Sequence, residues 1–599
     1  MRNLLGTLGG CLLVACSAPG MVKRTPDAGA GGDGGGGAVD GAGVGGGGAG
    51  GGAGAGGSAG AGAGGSGGLG GRGGGGAGGA AGMGGGPAVS CMDGERVCDG
   101  PTSVRACLSG KPSGPVLEVC AGGDVCNGGR CLAGACADAE MRRTFEGCLF
   151  YTLDVDNTAY DDEKTNTVLF GNPGSGMATV KLEARAPGAP WMMLMMATLP
   201  PGGVDTFVLR DNHLEGPGLG VALAYRLVST LPIVAYHVQS DDSDEDSESS
   251  GGTILYPVHA LGTAYMPVTY PQKANQDRSQ VVIVGTSDGT KVTFTPSATA
   301  STLAGGGAPA KGPGQSWSFM LNDGDIYQVY SSKVDSDLTG SDITADKPIA
   351  VFSGNISTSY GKTGRNIQSA DMAHEQVIPV SAWGKSYIGS RLTPQQGSGG
   401  IFGVACDTSR TSLWRVLAAE DGTEVTFDSP AGSTGVPAMP VTLNRGAFIE
   451  IGVTAPMNGN GGDFFVAGSK PILLAQFPAC EPALALAVSA EQLLSDFMFI
   501  TPPIFDHELA IVRKAGSPVS LDGAVVPDTS FVDAGGGFQV ARLTVPPCRA
   551  MLGSCGHRLR GTEMGVALRG QDTICGYAFS GGMGVRCVNP GGTAGGTCP

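Results

Sequence analysis

The sequence predicts an all-β protein of about four repeated antiparallel β units, preceded by a small disulfide-rich module and a disordered Gly-rich linker. Three observations carry this expectation. From about residue 147 onward, short runs rich in Val, Ile, Thr and Phe alternate with Gly, Asp, Asn and Pro, without long helical periodicity. A Pro-Ile signature recurs at Pro232-Ile233-Val234, Pro348-Ile349-Ala350-Val351 and Pro471-Ile472-Leu473-Leu474, and more weakly across 566–579, a period of roughly 100–120 residues. Finally, 108 glycines among 599 residues exclude one uniform packed core.

The elements follow in chain order. Residues 1–15 read as a lipoprotein signal peptide: Met1-Arg2-Asn3 supplies the positive start, and Leu4 to Ala15 an apolar stretch too short to span a bilayer. Leu13-Val14-Ala15-Cys16 resembles a lipobox, which makes Cys16 the acylated residue; an ordinary secretory signal is the alternative. Ser17 rather than Asp follows, which favours the outer membrane and a surface-exposed, lipid-anchored protein. Residues 16–88 are a tether. From Gly29 to Gly86, 37 of 58 residues are Gly, so the segment has little side chain to bury and is expected to stay disordered. The G-x-S-x-G match at Gly64 to Gly68 lacks the strand and helix that a nucleophile elbow needs.

Residues 89–146 form a cysteine module. Cys91, Cys98, Cys107, Cys120, Cys126, Cys131 and Cys136, followed by Cys148, lie among Gly, Asp, Asn and Pro with few large apolar side chains. Such a stretch needs disulfides in place of a core, and it lacks the Cys-x-x-Cys pairs of structural zinc. Cys406, Cys480, Cys548, Cys555, Cys575, Cys587 and Cys598 are the later disulfide candidates. The pairing stays open.

Residues 147–582 are the β-repeat region and 583–599 a Gly- and Cys-containing tail. Val281 to Val284, Asp288-Gly289-Thr290 and Val292-Thr293-Phe294 read as a hairpin, repeated at Leu413 to Val416, Asp421-Gly422-Thr423 and Val425-Thr426-Phe427. Val292, Phe294, Val425 and Phe427 are expected inward, and Thr293 and Thr426 outward. Each unit holds six or seven strands, with Pro opening its final strand. Tandem β-sandwiches are the first reading and a β-propeller the alternative. A short helix is expected near Ala483 to Leu494.

Gly147-Cys148-Leu149-Phe150-Tyr151, Pro257 to Tyr265 (PVHALGTAY), Pro348 to Gly354 (PIAVFSG) and His374-Glu375-Gln376 with Pro379 to Gly384 (PVSAWG) occur in an order that resembles the N-terminal domain of the IgG Fc-binding mucus protein family. The resemblance extends over about Cys148 to Ser580. It implies an extracellular β-scaffold and does not imply immunoglobulin binding.

Candidate chemistry is sparse. The formal charge of −16 argues against nucleic-acid binding. Ser240 to Ser250 (SDDSDEDSESS) reads as a solvated acidic loop in preference to a calcium site, and Asp154-Val155-Asp156-Asn157 as a turn in preference to one. His374-Glu375 lacks the second His of a zinc protease, and His259 reads as structural. No catalytic residue, metal ligand or cofactor is assigned. The expected function is a non-enzymatic, membrane-anchored binding or adhesion protein with an extracellular protein or glycan ligand. A passive envelope-structural protein and a secreted hydrolase are the alternatives; an exposed apolar patch among the β units would favour binding.

Overall fold

The computed structural model describes most residues between 91 and 589. Outside it lie 1–90, 590–599 and internal stretches, the longest being 158–164, 241–249, 359–370 and 394–410. The cysteine module comes first: β1 (Arg96–Cys98), β2 (Ser103–Ala106) and β3 (Val116–Val119) form one sheet, and β4 (Val125–Asn127) pairs β5 (Arg130–Leu132). Cys91–Cys107, Cys98–Cys126 and Cys120–Cys131 bridge these short strands. Helix α1 (Gly134–Arg142) follows, ending on Arg143 in the left-handed region, and Cys136–Cys148 fastens it to the next strand.

Four repeats then share one pairing diagram. Repeat one comprises β6 (Gly147–Leu153), β7 (Thr165–Gly171), β8 (Ala178–Ala184), β9 (Met192–Leu199), β10 (Val204–Val208), β11 (Gly218–Gly220), β12 (Ala224–Ser240) and β13 (Gly251–Ile254). Repeat two has β14 (Gly262–Tyr265), β15 (Ser279–Gly285), β16 (Thr290–Thr295), β17 (Trp317–Leu321), β18 (Ile326–Tyr330), β19 (Asp342–Thr358) and β20 (Asp371–Gln376). Repeat three has β21 (Ser386–Gly389), β22 (Thr411–Ala418), β23 (Thr423–Asp428), β24 (Val441–Leu443), β25 (Phe448–Thr454), β26 (Phe464–Gly468), β27 (Ile472–Phe477) and β28 (Ala485–Leu486). Repeat four has β29 (Leu494–Ile500), β30 (Asp506–Lys514), β31 (Ser520–Leu521), β32 (Ala524–Val525), β33 (Phe531–Gly535), β34 (Phe538–Val545), β35 (Gly556–Gln571) and β36 (Gly576–Gly582).

In each repeat one long strand serves two half-sheets. The first half of β19 pairs β14 and β16, with β17 outside β16; its second half pairs β20 and β15, with β18 outside β15. β12 and β35 repeat this plan, while in repeat three the long strand is interrupted, so β21-β26-β23-β24 and β25-β22-β27-β28 separate into two sheets. The core of repeat three lies between those sheets: Trp414 of one meets Phe464 of the other edge-to-face at 5.1 Å, with Val425, Val466 and Leu474 around them. Each repeat is therefore a β-sandwich bent about its long strand.

Burial distinguishes the two halves. Every residue of β15, β18 and β27 is buried, as befits strands covered on both faces. Outer strands alternate: Val292 and Phe294 are fully buried while Lys291 is exposed and Thr293 half-buried. Val425 is likewise buried, Phe427 half-buried, and Thr426 exposed, so the expected inward and outward sets hold in both repeats.

Three expectations need correction. The segments flanking Asp288-Gly289 and Asp421-Gly422 are not hairpins, since β15 and β16 pair β19 in succession and never each other. The Asp-Gly step, with Gly289 at φ +64° and Gly422 at φ +64°, turns a corner from one half-sheet to the other. A turn signal says that the chain bends; the long strand decides what pairs. Pro232 and Pro348 likewise lie inside 17-residue strands, at the bend where the partners change, and only Pro471 precedes a strand. A missing N–H is tolerated there because the ladder is interrupted anyway. Residues Ala483 to Leu494 contain β28 and a 3-10 turn, Ala490–Gln492, in place of a helix.

The repeats close on a common centre. β13 lies against β20 and β36, and β36 against β28. Glu375 of β20 accepts from Thr253 Oγ1 at 2.6 Å and from the Leu486 amide at 3.2 Å, joining repeats one, two and three. Tyr236 donates to the Gly581 carbonyl, joining one to four. Glycine sets the spacing at the seams. A Cβ on Gly147 would sit 2.3 Å from Pro257 Cβ, and one on Gly262 2.6 Å from Pro379 Cβ, distances that a proline ring cannot relieve.

Candidate functional site

The surface that departs most from this regular plan is the outer edge of repeat one. β9 is built from Met192 to Leu199 (MMLMMATL) and pairs only β8 among the described residues. Trp191, just before the strand, donates its indole N–H to Asp323 of repeat two at 2.7 Å, and Tyr151 donates to the same carboxylate. The Arg226 guanidinium lies 4.5 Å from the Trp191 ring centre. Leu194 and Ala197 pack on the core and Leu199 is buried, so both ends and the middle of the strand are held.

What remains outside is methionine. Met192 is 62% exposed, Met193 53%, Met195 40% and Met196 57%. Met193 and Met196 stand opposite Glu183 and Lys181, on the outer face; Met192 and Met195 stand opposite Ala184 and Leu182, on the core side. A register shift between Met193 and Met195 makes Leu194 the extra residue. Both faces of the edge are thus apolar, and β9 carries no charge and no proline.

Beside it lies a cleft of about 240 Å³ lined by Ala184, Arg185, Leu194, Arg210 to Asn212 and Ala222 to Tyr225. Asp211 also belongs to a second feature. Ligand atoms of Asp154, Asp211 and His213 lie within 4.8 Å of one another, close enough to share a cation. Asp154, at the end of β6, is buried and accepts from the Asn166 side chain and from the Asn212 amide at 2.6 Å. His213 Nδ1 is 3.1 Å from Asp211 and Nε2 3.1 Å from Glu215. Asp154 above all, then Glu215, raise the His213 pKa to about 10, so the ring is an imidazolium that itself neutralises the carboxylates. A divalent ion would first have to displace that proton.

The sequence-assigned residues are distributed as follows. Cys16, Cys406, Cys480, Cys575 and Cys598 lie outside the described residues, as does the acidic stretch 241–249. Cys548 bonds Cys555, and Cys587 is disulfide-bonded. Asp154 to Asn157, expected as a turn, is instead a buried hydrogen-bonding segment: Tyr330 donates to Asp156, and Gln239 donates to the Val155 carbonyl at 3.0 Å. His259 is structural, its Nε2 3.0 Å from the Thr144 carbonyl, and burial lowers its pKa to about 4. His374 and Glu375 are buried at the centre. Sequence reasoning passed over Asp211 and His213 because more than fifty residues separate them from Asp154. For β9 the available signal in the sequence was apolar residues at both strand parities with no charge.

No helix among the described residues is long and apolar enough to cross a membrane. The family model described as IgGFc binding protein matches residues 251–568, more than half of the chain, from β13 into β35. Among curated proteins, the IgGFc-binding protein of Homo sapiens is 30% identical over 158 residues, 26% of this chain and 3% of that protein. The match therefore covers a small fraction of the human relative's length.

Proposed function

The chain belongs to the IgGFc-binding protein family, and from that premise we propose that it is a non-catalytic binding protein of the cell envelope, anchored by acylation at Cys16. The Gly-rich tether would carry the β-repeats away from the lipid surface. The observation that carries the reading is the exposed methionine edge of repeat one, where four methionines cluster on one strand, because a large contiguous apolar patch marks an interaction site. An uncharged, apolar surface suits a protein ligand better than a glycan. Immunoglobulin is not assigned as that ligand.

Two measurements test this. Metabolic lipid labelling should mark the wild-type chain and fail with Cys16→Ser; equal labelling of both removes the anchor. Biolayer interferometry of the full chain against purified extracellular proteins and a glycan array should give saturable binding to a protein. The same preparation should turn over no ester, peptide or glycoside substrate. Turnover, or saturable binding to none of them, overturns the binding reading.

A further inference from the structure

We infer that the β9 edge captures an extended apolar segment of another protein as an added strand. The inference rests on the binding reading above and names the chemistry of its partner.

An edge strand leaves alternate N–H and C=O groups unpaired, and proteins usually protect such edges by shortness, charge or cover. The four repeats supply an internal comparison at one topological position. β24 has three residues and β32 two. β17 has five, with Trp317 and Phe319 turned inward and Ser318 and Met320 outward. Ser318 is bonded to Thr293, side chain to side chain, at 2.8 Å. β9 has eight residues, no charge, and four exposed methionines. It is the one of these four edges built without protection.

The edge is also pre-formed. Trp191 tied to Asp323, together with Leu194, Ala197 and Leu199 packed inward, fixes the strand before any ligand arrives, so little ordering cost falls on binding. Methionine side chains are flexible and polarizable, and adapt to differently shaped apolar side chains. Because both faces of β9 carry them, the complementary segment has apolar residues at both parities, and backbone pairing supplies its orientation.

Area decides between a strand and a second copy of the chain. Four roughly half-exposed methionines present on the order of 400 Å² of apolar surface, a large patch for a monomer. Two β9 edges paired across a two-fold axis would bury about 800 Å² in total, below the 1,200–2,000 Å² of a stable specific interface. One strand-sized segment fits the patch.

The test uses the full chain and a fluorescein-labelled peptide of eight residues, alternating valine and leucine between terminal lysines. Its partner is the same peptide with alternate backbone amides methylated. Wild type should bind the first peptide with protection of the β9 amides from hydrogen exchange, and bind the methylated one at least about tenfold more weakly. Met193→Lys with Met196→Lys, both exposed and outside the core, should lose about tenfold as well, while Ser318→Lys on β17 should bind like wild type. Equal binding of both peptides, or no effect of the β9 substitutions, overturns the inference. So does sedimentation showing a wild-type dimer that the β9 variant loses, which assigns the edge to a second copy. If a panel protein binds wild type and the β9 variant equally, the strand inference falls and the wider reading survives; if neither peptide nor panel binds wild type, both fall.

Discussion

Repeats one and two have the same strand pairing and opposite treatments of the same edge. In repeat two, Phe319 of β17 stacks on Tyr327 at 3.6 Å, and Trp317 lies 4.9 Å from Phe294. The aromatic rings fill the end of the sandwich and leave the outer face to Ser318, Met320 and Lys291. In repeat one the position of Phe319 is held by Ala197, opposite Val180, and that of Trp317 by Met195, opposite Leu182, which stays exposed. Repeat one also lends β11 to the far edge of repeat two, where it pairs β18. The difference teaches that the ladder tolerates divergence where side chains reach solvent. Repeat one, which lies almost wholly outside the family match, uses that freedom.

The largest effects should come from seams between repeats, where that freedom is absent. Arg415 of repeat three is buried and donates to Asp337 of repeat two at 2.7 Å and to the Thr269 carbonyl at 2.7 Å. Its guanidinium lies 4.4 Å from the Phe448 ring centre. Arg415→Ala should cost about 3–5 kcal/mol, because Asp337 is left buried without its counter-ion. Guanidinium titration of both proteins measures it. A loss no larger than that from a surface substitution would mean that the seams are not where stability resides, and would dissolve the contrast with the edges.

Acid should separate the centre from the repeat-one surface. Burial lowers His237 and His507 to about 3 and His259 to about 4, and holds His374 well below its ordinary value. Unfolded, these rings take up protons near pH 6.5. For His237, His507 and His259 the contribution is therefore complete above that pH and is lost as pH falls toward 3–4, about 1–2 kcal/mol per ring between pH 7 and 5. His374 acts in the same direction. Buried Glu375 opposes this: its pKa is raised, so it favours the folded state below about pH 4.5 and less so as pH rises. The four rings outweigh it, and the denaturant midpoint should fall from pH 7 to 5. His213, raised to about 10, stays charged throughout this range, so peptide binding at the adjoining β9 edge should be unchanged while the protein remains folded. A midpoint that rises on acidification would contradict the assignment.

Sealing the edge with aromatics should show an intermediate effect. Phe319→Ala removes a half-buried ring from its stack on Tyr327 and should cost roughly 2 kcal/mol, less than a fully buried Phe. Thermal unfolding followed by far-ultraviolet circular dichroism reads it. A neutral result would mean that β17 is no better sealed than β9.

The fold was legible where one residue type implies one geometry. Alternation at Val292, Thr293 and Phe294 specified the inward face, and Cys91 to Cys148 specified a covalent module with only short strands. The Pro-Ile signature located the long strands because the bend recurs. What was illegible depends on distance along the chain. The Asp288-Gly289 turn looks the same locally whether its flanks pair each other or a third strand. The Asp154 and His213 approach exists only once repeat one is folded. The apolar β9 run could equally have been a buried strand, since exposure belongs to the assembled edge.

The smallest expected effect is therefore the most informative about repeat one. Met193→Lys with Met196→Lys should change stability by no more than about 0.5 kcal/mol, as for surface positions away from special features. Both side chains already contact water, and the new ammonium groups can remain solvated. The strand is held by Trp191, Leu194, Ala197 and Leu199, none of which is altered. The charge introduced by Met196→Lys would face Lys181, a like-charge pair of modest cost at an exposed edge. The charge introduced by Met193→Lys would face Glu183, an offsetting attraction. Matched thermal melts of wild type and variant measure the sum. A loss of several kcal/mol would show that these methionines are part of the sandwich's packing. Unchanged stability would show that repeat one keeps exposed methionines on its edge which its own fold does not need.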